Sequence, residues 1–386
     1  MESPFPYSQY VTGKNFVGRK SDVVLLGNLI SQGEHVCIYE PPKTGKTSLV
    51  QQTLFDMRMR GKSFMVGQFS ALSVCTPEDF LLRLGSALVR MTASSPTEYA
   101  AVAAKYFKGT HFVYDPHAYA EKGEVLSLNW DLDQEDVAAM LRFPFMLAQD
   151  RGTLLFLIVD EFQCINQLDN PDAILRPMDA IMKEQREMGR TQFAYILCGS
   201  AVNAMKAIFE GSLLFHRRVE RVRLSPLDEL EMTDHVHKGF QTSGKVVGKE
   251  LLQGACHLFK GHPWYMNHFA AICDSMSRGY IMEPVLVDAL NCMLAVHEPR
   301  FRGWMENLTT FQISLLRATL DGVTRFSASD VIAKYGLHSS ANVKRVKDAL
   351  MKKEVLQFDA ADNPTILDPL FEYWLRKYYF EMREGV

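Results

Sequence analysis

At 386 residues, 47% of them hydrophobic, the chain exceeds one ordinary domain and can bury two or three cores. A net charge of −3 excludes a globally basic nucleic-acid binder, while leaving room for a local basic patch. Seven cysteines without C-x-x-C spacing exclude a disulfide framework or zinc ribbon, so Cys37 and Cys198 read as reduced core residues.

The opening MESPFPYSQY has an acid, two prolines and no apolar run, so residues 1–14 are expected to form an extended arm and not a leader. No later stretch approaches the roughly 20 apolar residues of a membrane span, and a cytoplasmic protein without membrane contact is expected. Ser21 is the expected N-cap of a helix to about Gln32. The run HVCIYEPPKTGKTSLV then predicts a buried strand at Val36 to Tyr39, a tight loop, and a helix opening at Lys46 and Thr47. Such a loop turns successive backbone N–H groups toward one anion, and the helix dipole adds to the attraction. Against the pattern G-x-x-x-x-G-K-[ST], Gly45, Lys46 and Thr47 match, whereas Glu40 replaces the first glycine. A carboxylate there would repel phosphates, and a side chain narrows the backbone angles available. The plain alternative is a surface turn before an ordinary helix, so a second motif is needed.

Ser63 to Leu72 alternates as a strand, and Thr76, Pro77, Glu78 and Asp79 open a helix in the order cap, proline, acids. Residues 94–132, with an Ala-rich piece and THFVYDPHAY, fit an insertion on the sheet that could face a partner. Asp133 is the expected N-cap of a helix to about Gln149, kinked at Pro144. TLLFLIVDEFQ reads as a central parallel strand with Asp160 and Glu161 at its C-terminal end, where ligands bind in open α/β sheets. Two carboxylates at such a strand end are costly to bury without a cation. Joined to Gly45, Lys46 and Thr47, they point to ATP with Mg²⁺: Lys46 on the β/γ-phosphates, Thr47 and Asp160 on the metal, Glu161 on the attacking water.

QFAYILCGS is a further buried strand, after which Ser200 is a candidate N-cap for a helix from Ala201 to Phe209. Arg217, Arg218, Arg221 and Arg223 cluster before Ser225-Pro226, the expected domain boundary. They are either a solvated face paired with Glu220 and Asp228 or a source of transition-state charge for phosphoryl transfer. Residues 228–298 read as four helices, with Gly261 as a C-cap, His262 as a packing or cap residue and Pro263 at a first helical position. From Asn307 on, three helices and a hairpin around 359–363 describe a winged helix-turn-helix. In its presumed recognition helix Val343, Val346 and Leu350 turn inward, leaving Asn342, Lys344, Arg345 and Lys347 outward. The aromatic segment DPLFEYWLRKYYF is expected to dock as a last helix.

With FVGR, IYEPPKTGKTSL, IVDEFQ and DPLFEYWLR in this order, the chain resembles the archaeal-type AAA-like ATPases, relatives of the STAND NTPases and origin-recognition initiators. The resemblance implies an α/β P-loop NTPase parallel sheet followed by an all-α lid and a winged helix. Its domains would be an arm at 1–14, a P-loop domain at 15–225 with the insertion 94–132, a lid at 226–300 and a winged helix at 301–386. It implies nucleotide contacts from Val17, Gly18 and Arg19, from Pro42, Lys43, Thr44, Gly45, Lys46, Thr47 and Ser48, and from Pro263 of a lid Gly-x-Pro motif. It makes Ser200 a sensor near the γ-phosphate and Arg217 or Arg218 the charge-stabilising finger. The function implied is a Mg²⁺-dependent ATPase that couples the ATP/ADP cycle to lid and winged-helix movement, with a protein partner or self-association. The alternatives are a nucleotide-gated switch with little turnover and an ATP-regulated DNA-binding protein; protein contact is expected of the winged helix more than DNA contact.

Overall fold

The computed structural model describes residues 3–211 and 213–382, so the outermost ends of the expected arm and winged-helix domain lie outside it. The chain divides into two compact units. One comprises Lys20–Glu40 and Leu49–Leu224; the other comprises the residues up to Arg19, the loop Pro41–Ser48 and the residues from Ser225 on.

The first unit is built on a parallel sheet of β1 (His35–Tyr39), β2 (Phe64–Ser70), β3 (Leu154–Asp160), β4 (Phe193–Gly199) and β5 (Val219–Arg221), in the spatial order β2-β3-β4-β1-β5. Every residue of β1 and β4 is buried, as are the five interior residues of β3, which explains why these strands are continuous apolar runs and do not alternate. Pairing of Val159 with Leu197 and of Tyr39 with Gly199 brings the C-terminal ends of β1, β3 and β4 to one edge. Thr76 caps the helix Pro77–Thr92 by accepting from the Asp79 N–H, and Asp133 forms a capping box with Asp136 at the start of Gln134–Arg151. Pro144 lies within that last helix, which continues through it. The insertion is ordered as a helix at Pro96–Tyr106, an antiparallel pair of Phe112–Val113 with Ser127–Leu128, and a helix at Pro116–Lys122.

Two expected caps are not formed. The helix Lys20–Ser31 begins before Ser21, whose hydroxyl donates to the neighbouring Asp22 carboxylate. The helix after β4 is Val202–Phe209 with Ala201 at its N-cap and no side-chain cap, because the Ser200 hydroxyl is committed elsewhere.

The second unit continues with helices Glu229–Thr242, Lys249–Leu258, Pro263–Met276 and Glu283–Glu306. The last of these runs unbroken across residues 300–301, with Phe301 fully buried. Helices Thr310–Leu320, Ser329–Tyr335 and Ser340–Lys352 and the antiparallel strands Leu356–Phe358 and Pro364–Ile366 complete a winged helix-turn-helix. One continuous core runs from Phe5 and Phe240 through Phe259 and Phe301 to Leu316, Leu350 and Trp374. The final aromatic segment docks into it as a short helix, Pro369–Trp374, followed by a π turn at Leu375–Tyr379, where a single longer helix is expected. On the presumed recognition helix only Lys344 and Arg345 of the four expected outward residues are exposed. Asn342 turns back to donate to the Leu337 carbonyl at 3.0 Å, and Lys347 pairs with Asp362 at 2.6 Å over the Phe358 ring.

The arm is anchored by Phe5, which has no exposed surface, lies 4.6 Å from Phe240 between ring centroids, and covers Gly239 so closely that a Cβ there would sit 2.3 Å from its ring. Phe5→Ala is expected to lower unfolding free energy by about 3–5 kcal/mol in a denaturant titration of the unit that holds it. A loss below about 1 kcal/mol would mean that the arm does not contribute to this core.

Candidate functional site

The loop that leaves β1 turns at two left-handed residues, Lys43 at φ +63° and Gly45 at φ +101°. A side chain on Gly45 would also meet Arg19 Nη1 at 2.9 Å, so glycine is required there twice over. Glu40 lies outside the left-handed region, which is why a residue other than glycine fits at the head of this loop. Lys46 opens the helix Lys46–Met59, is 8% exposed, and donates from Nζ to the Pro41 carbonyl at 2.9 Å. Thr44 Oγ1 donates to the same carbonyl at 2.8 Å, so the loop closes on itself around the start of a helix. Backbone N–H groups of a first helical turn have no helical acceptors, which is the condition that lets such a turn bind an anion.

Other segments of the same unit hold the loop. Gly18 and Arg19 both take left-handed angles after the half-buried Val17, and Arg19 then donates to Thr44 O at 2.6 Å and to Ser225 O at 2.8 Å. Ser48 Oγ accepts from the Val11 N–H at 3.1 Å. Lys43 Nζ sits 3.4 Å above the Trp264 ring, a cation–π contact. Tyr7, Tyr10, Lys46, Thr47 and Trp264 line a cleft of about 390 Å³ along the loop, within the range of small-ligand sites.

Pro263 occupies the first helical position after His262, the N-cap residue. His262 Nδ1 accepts from the Tyr265 N–H at 3.4 Å, which assigns the ring proton to Nε2, and Nε2 faces the Pro42 carbonyl at 3.3 Å. Burial holds this imidazole down to about 4, so it is neutral at pH 7 and acts as a bridge between helix and loop, not as a base.

In the sheet unit, Asp160 ends β3 and its Oδ1 accepts from the Glu161 N–H at 3.0 Å. Glu161 has φ +52° and its Oε2 accepts from Ser200 Oγ at 2.7 Å and from Gln163 Nε2. A Cβ on Gly199 would lie 2.6 Å from Gln163 Oε1, so the glycine before Ser200 makes room for Gln163. Two donors from two segments therefore fix the direction of one strand-end carboxylate. At the neighbouring strand end the Tyr39 hydroxyl donates to Glu210 at 2.5 Å, Arg221 donates to the same oxygen at 2.6 Å, and the guanidinium lies 4.0 Å over the Tyr39 ring.

The arginine pair separates. Arg218 grips Asp179 with Nε and with Nη2 at 2.7 Å, while Asp179 also accepts from the Phe215 N–H at 2.7 Å. Arg217 is exposed at φ +59°, with its carbonyl held by Arg186. Gln163, the Tyr39–Glu210–Arg221 group and the His262–Pro42 contact were not anticipated from sequence. Only Gln163 has a local signal, as a polar residue inside the apolar run after Glu161.

A family model described as "Probable winged helix domain" matches residues 299–377. Comparison with curated proteins gives no match. Among solved structures, a Walker-type ATPase of Pyrococcus abyssi superposes with a TM-score of 0.68 at 16% identity, covering 97% of this chain and 99% of that one. The ORC2 protein of Aeropyrum pernix, in ADPNP–ADP complexes, superposes with a TM-score of 0.57 at 14% identity, covering 95% and 93%. At such identities the likeness is one of fold: the chain has the AAA-like P-loop ATPase fold followed by a winged helix.

The pairing of Arg218 with the half-buried Asp179 predicts that Arg218→Ala lowers stability by about 1–3 kcal/mol, through the carboxylate left with two donors fewer. Arg217→Ala should stay within about 0.5 kcal/mol of the parent. Thermal melts of the two variants check this; equal shifts would contradict the assignment.

Proposed function

We propose that the chain is a Mg²⁺-dependent ATP-binding protein and ATPase, in which ATP binds on the loop from Glu40 to Thr47. The observation that carries this reading is Lys46, a buried ammonium at a helix N-terminus folded onto the Pro41 carbonyl of a glycine-turned loop. Thr47 and Asp160 supply a hydroxyl and a carboxylate oxygen, hard donors that suit Mg²⁺. Held there, the ion would supply positive charge against the phosphates. Glu161 takes the proton of the attacking water, directed by Ser200 and Gln163, and Ser200 thereby relates the γ-phosphate to the base. Arg217, exposed and without the carboxylate grip that engages Arg218, is the better candidate finger, in this chain or toward a neighbouring copy. Val17, Gly18, Arg19, Pro42, Lys43, Thr44, Ser48 and Pro263 would frame the nucleotide. Residues 1–14, 15–225, 226–300 and 301–386 serve as arm, P-loop domain, lid and winged helix in this reading, with the ATP/ADP cycle moving lid and winged helix as in AAA-like and STAND machines.

A protein partner or self-association is favoured over DNA, because of the four residues expected outward on the recognition helix Lys347 and Asn342 are engaged within the winged helix, leaving Lys344 and Arg345 exposed. Among the described residues no helix is long and apolar enough to cross a membrane, in keeping with a cytoplasmic protein.

ATP at a hundred times its Kd should stabilise the protein by about 2.7 kcal/mol, a shift that Lys46→Ala should abolish. Glu161→Gln should keep the shift and lose hydrolysis in a phosphate-release assay. Absence of any shift in the parent would reject the reading, and equal hydrolysis by Glu161→Gln would remove that residue from the mechanism.

A further inference from the structure

We propose that an open groove on the sheet unit docks a partner protein through a basic segment, one in which lysine or arginine flanks an apolar side chain. This rests on the protein-partner reading above, to which it gives a surface and a chemistry, and it does not depend on what the loop binds. The groove measures about 1090 Å³, more than the pockets that bury small ligands. All of its lining belongs to the sheet unit. It is drawn from the starts of the helices Pro77–Thr92 and Gln134–Arg151, the first half of Asp172–Glu187 and the residues just before these last two. Leu132, Val137, Ala173, Pro177 and Ala180 give the groove an apolar share.

The charge of the lining says what fits. Four carboxylates, Glu78, Asp133, Asp169 and Asp172, stand in it against one cation, Arg176. That guanidinium is already committed to one of the four, donating from Nε to Asp172 at 2.7 Å. Two of the helix starts use an N–H on their own caps: the Asp79 N–H goes to Thr76, and the Asp136 N–H to Asp133. Pro177 adds a backbone acceptor. A proline inside a helix has no N–H to give the carbonyl four residues earlier, here that of Ala173, and both residues line the groove. An acidic, acceptor-rich surface with apolar ground between repels phosphates and anionic membranes. It complements a side chain with an aliphatic stem and a cationic head. Trp130, two residues before Leu132 in the chain, exposes 72% of its surface. An exposed indole anchors protein contacts and offers its face to a guanidinium.

Selection of a random dodecapeptide display library on the full chain, followed by fluorescence anisotropy of the strongest selected peptides in labelled form, tests this. The selected peptides are expected to carry several Lys or Arg around an apolar residue. The double variant Glu78→Gln/Asp169→Asn, which keeps both side-chain shapes and spares the capping residues, should bind them about tenfold more weakly. Ala180→Trp, which fills the groove without changing its charge, should weaken them as well. A control pair of exposed acids on the other unit, Glu250→Gln/Asp288→Asn, should change affinity less than about twofold. Equal weakening by the two pairs would mean attraction by net charge alone and overturn the proposal. Selected peptides without basic residues, or binding indifferent to the groove variants in proteins that melt like the parent, would overturn it too. Sedimentation of the parent without peptide covers the remaining occupant: a dimer that the groove variants dissolve would put a second copy there instead. The ATP-dependent melting shift, read on the same proteins, decides the nucleotide reading separately from the peptide result.

Discussion

The candidate site hangs from a single buried strand. His35–Tyr39 is hydrogen-bonded on both sides, by β4 and β5, and all five of its residues are shielded from water. Even its histidine is recruited: His35, kept neutral by burial, accepts the Tyr195 N–H through Nδ1 at 3.0 Å and so serves the neighbouring strand. A strand fixed in this way cannot slide freely, because a one-residue slip would break its register with both neighbours at once. The chain leaves it in one direction, and the left-handed turns at Lys43 and Gly45 then set the backbone of the loop.

At the strand ends of the sheet unit, direction comes from shared acceptors. Glu161 receives donors from Ser200 and Gln163, Glu210 from Tyr39 and Arg221, and Asp179 from Arg218 and the Phe215 backbone. Each carboxylate receives at least one donor from a segment distant in sequence. Removal of one donor leaves a partly satisfied acid, so these groups connect local chemistry to the stability of the sheet.

The other unit uses the same device for a different end. Tyr265, Arg300 and the backbone of the last helix converge on Asp368, while His262 reaches the loop carbonyl from the turn before Tyr265. Because the core beneath is continuous from Phe5 to Trp374, a shift at one helix end is carried through packed side chains and is not absorbed by a linker.

Much was legible in the sequence for a local reason: continuous apolar runs make buried parallel strands, Gly45-Lys46-Thr47 marks the turn from a strand into a helix, and Thr76 and Asp133 cap helices that begin beside them. These features depend on residues within a few positions of one another. Ser21 and Ser200 misled because a hydroxyl before a helix has several acceptors, and in the fold Asp22 and Glu161 claimed them. Likewise Lys347 has an outward position on its helix, but the wing folds back with Asp362 to take it. Sequence by itself determined the strand-loop-helix at Lys46, the acids at Asp160 and Glu161 and the winged-helix order. Only the tertiary structure decided which arginine is gripped, which donors fix Glu161 and what holds Asp368, because a side chain's partner is chosen among groups brought near by packing, across separations that no local pattern encodes.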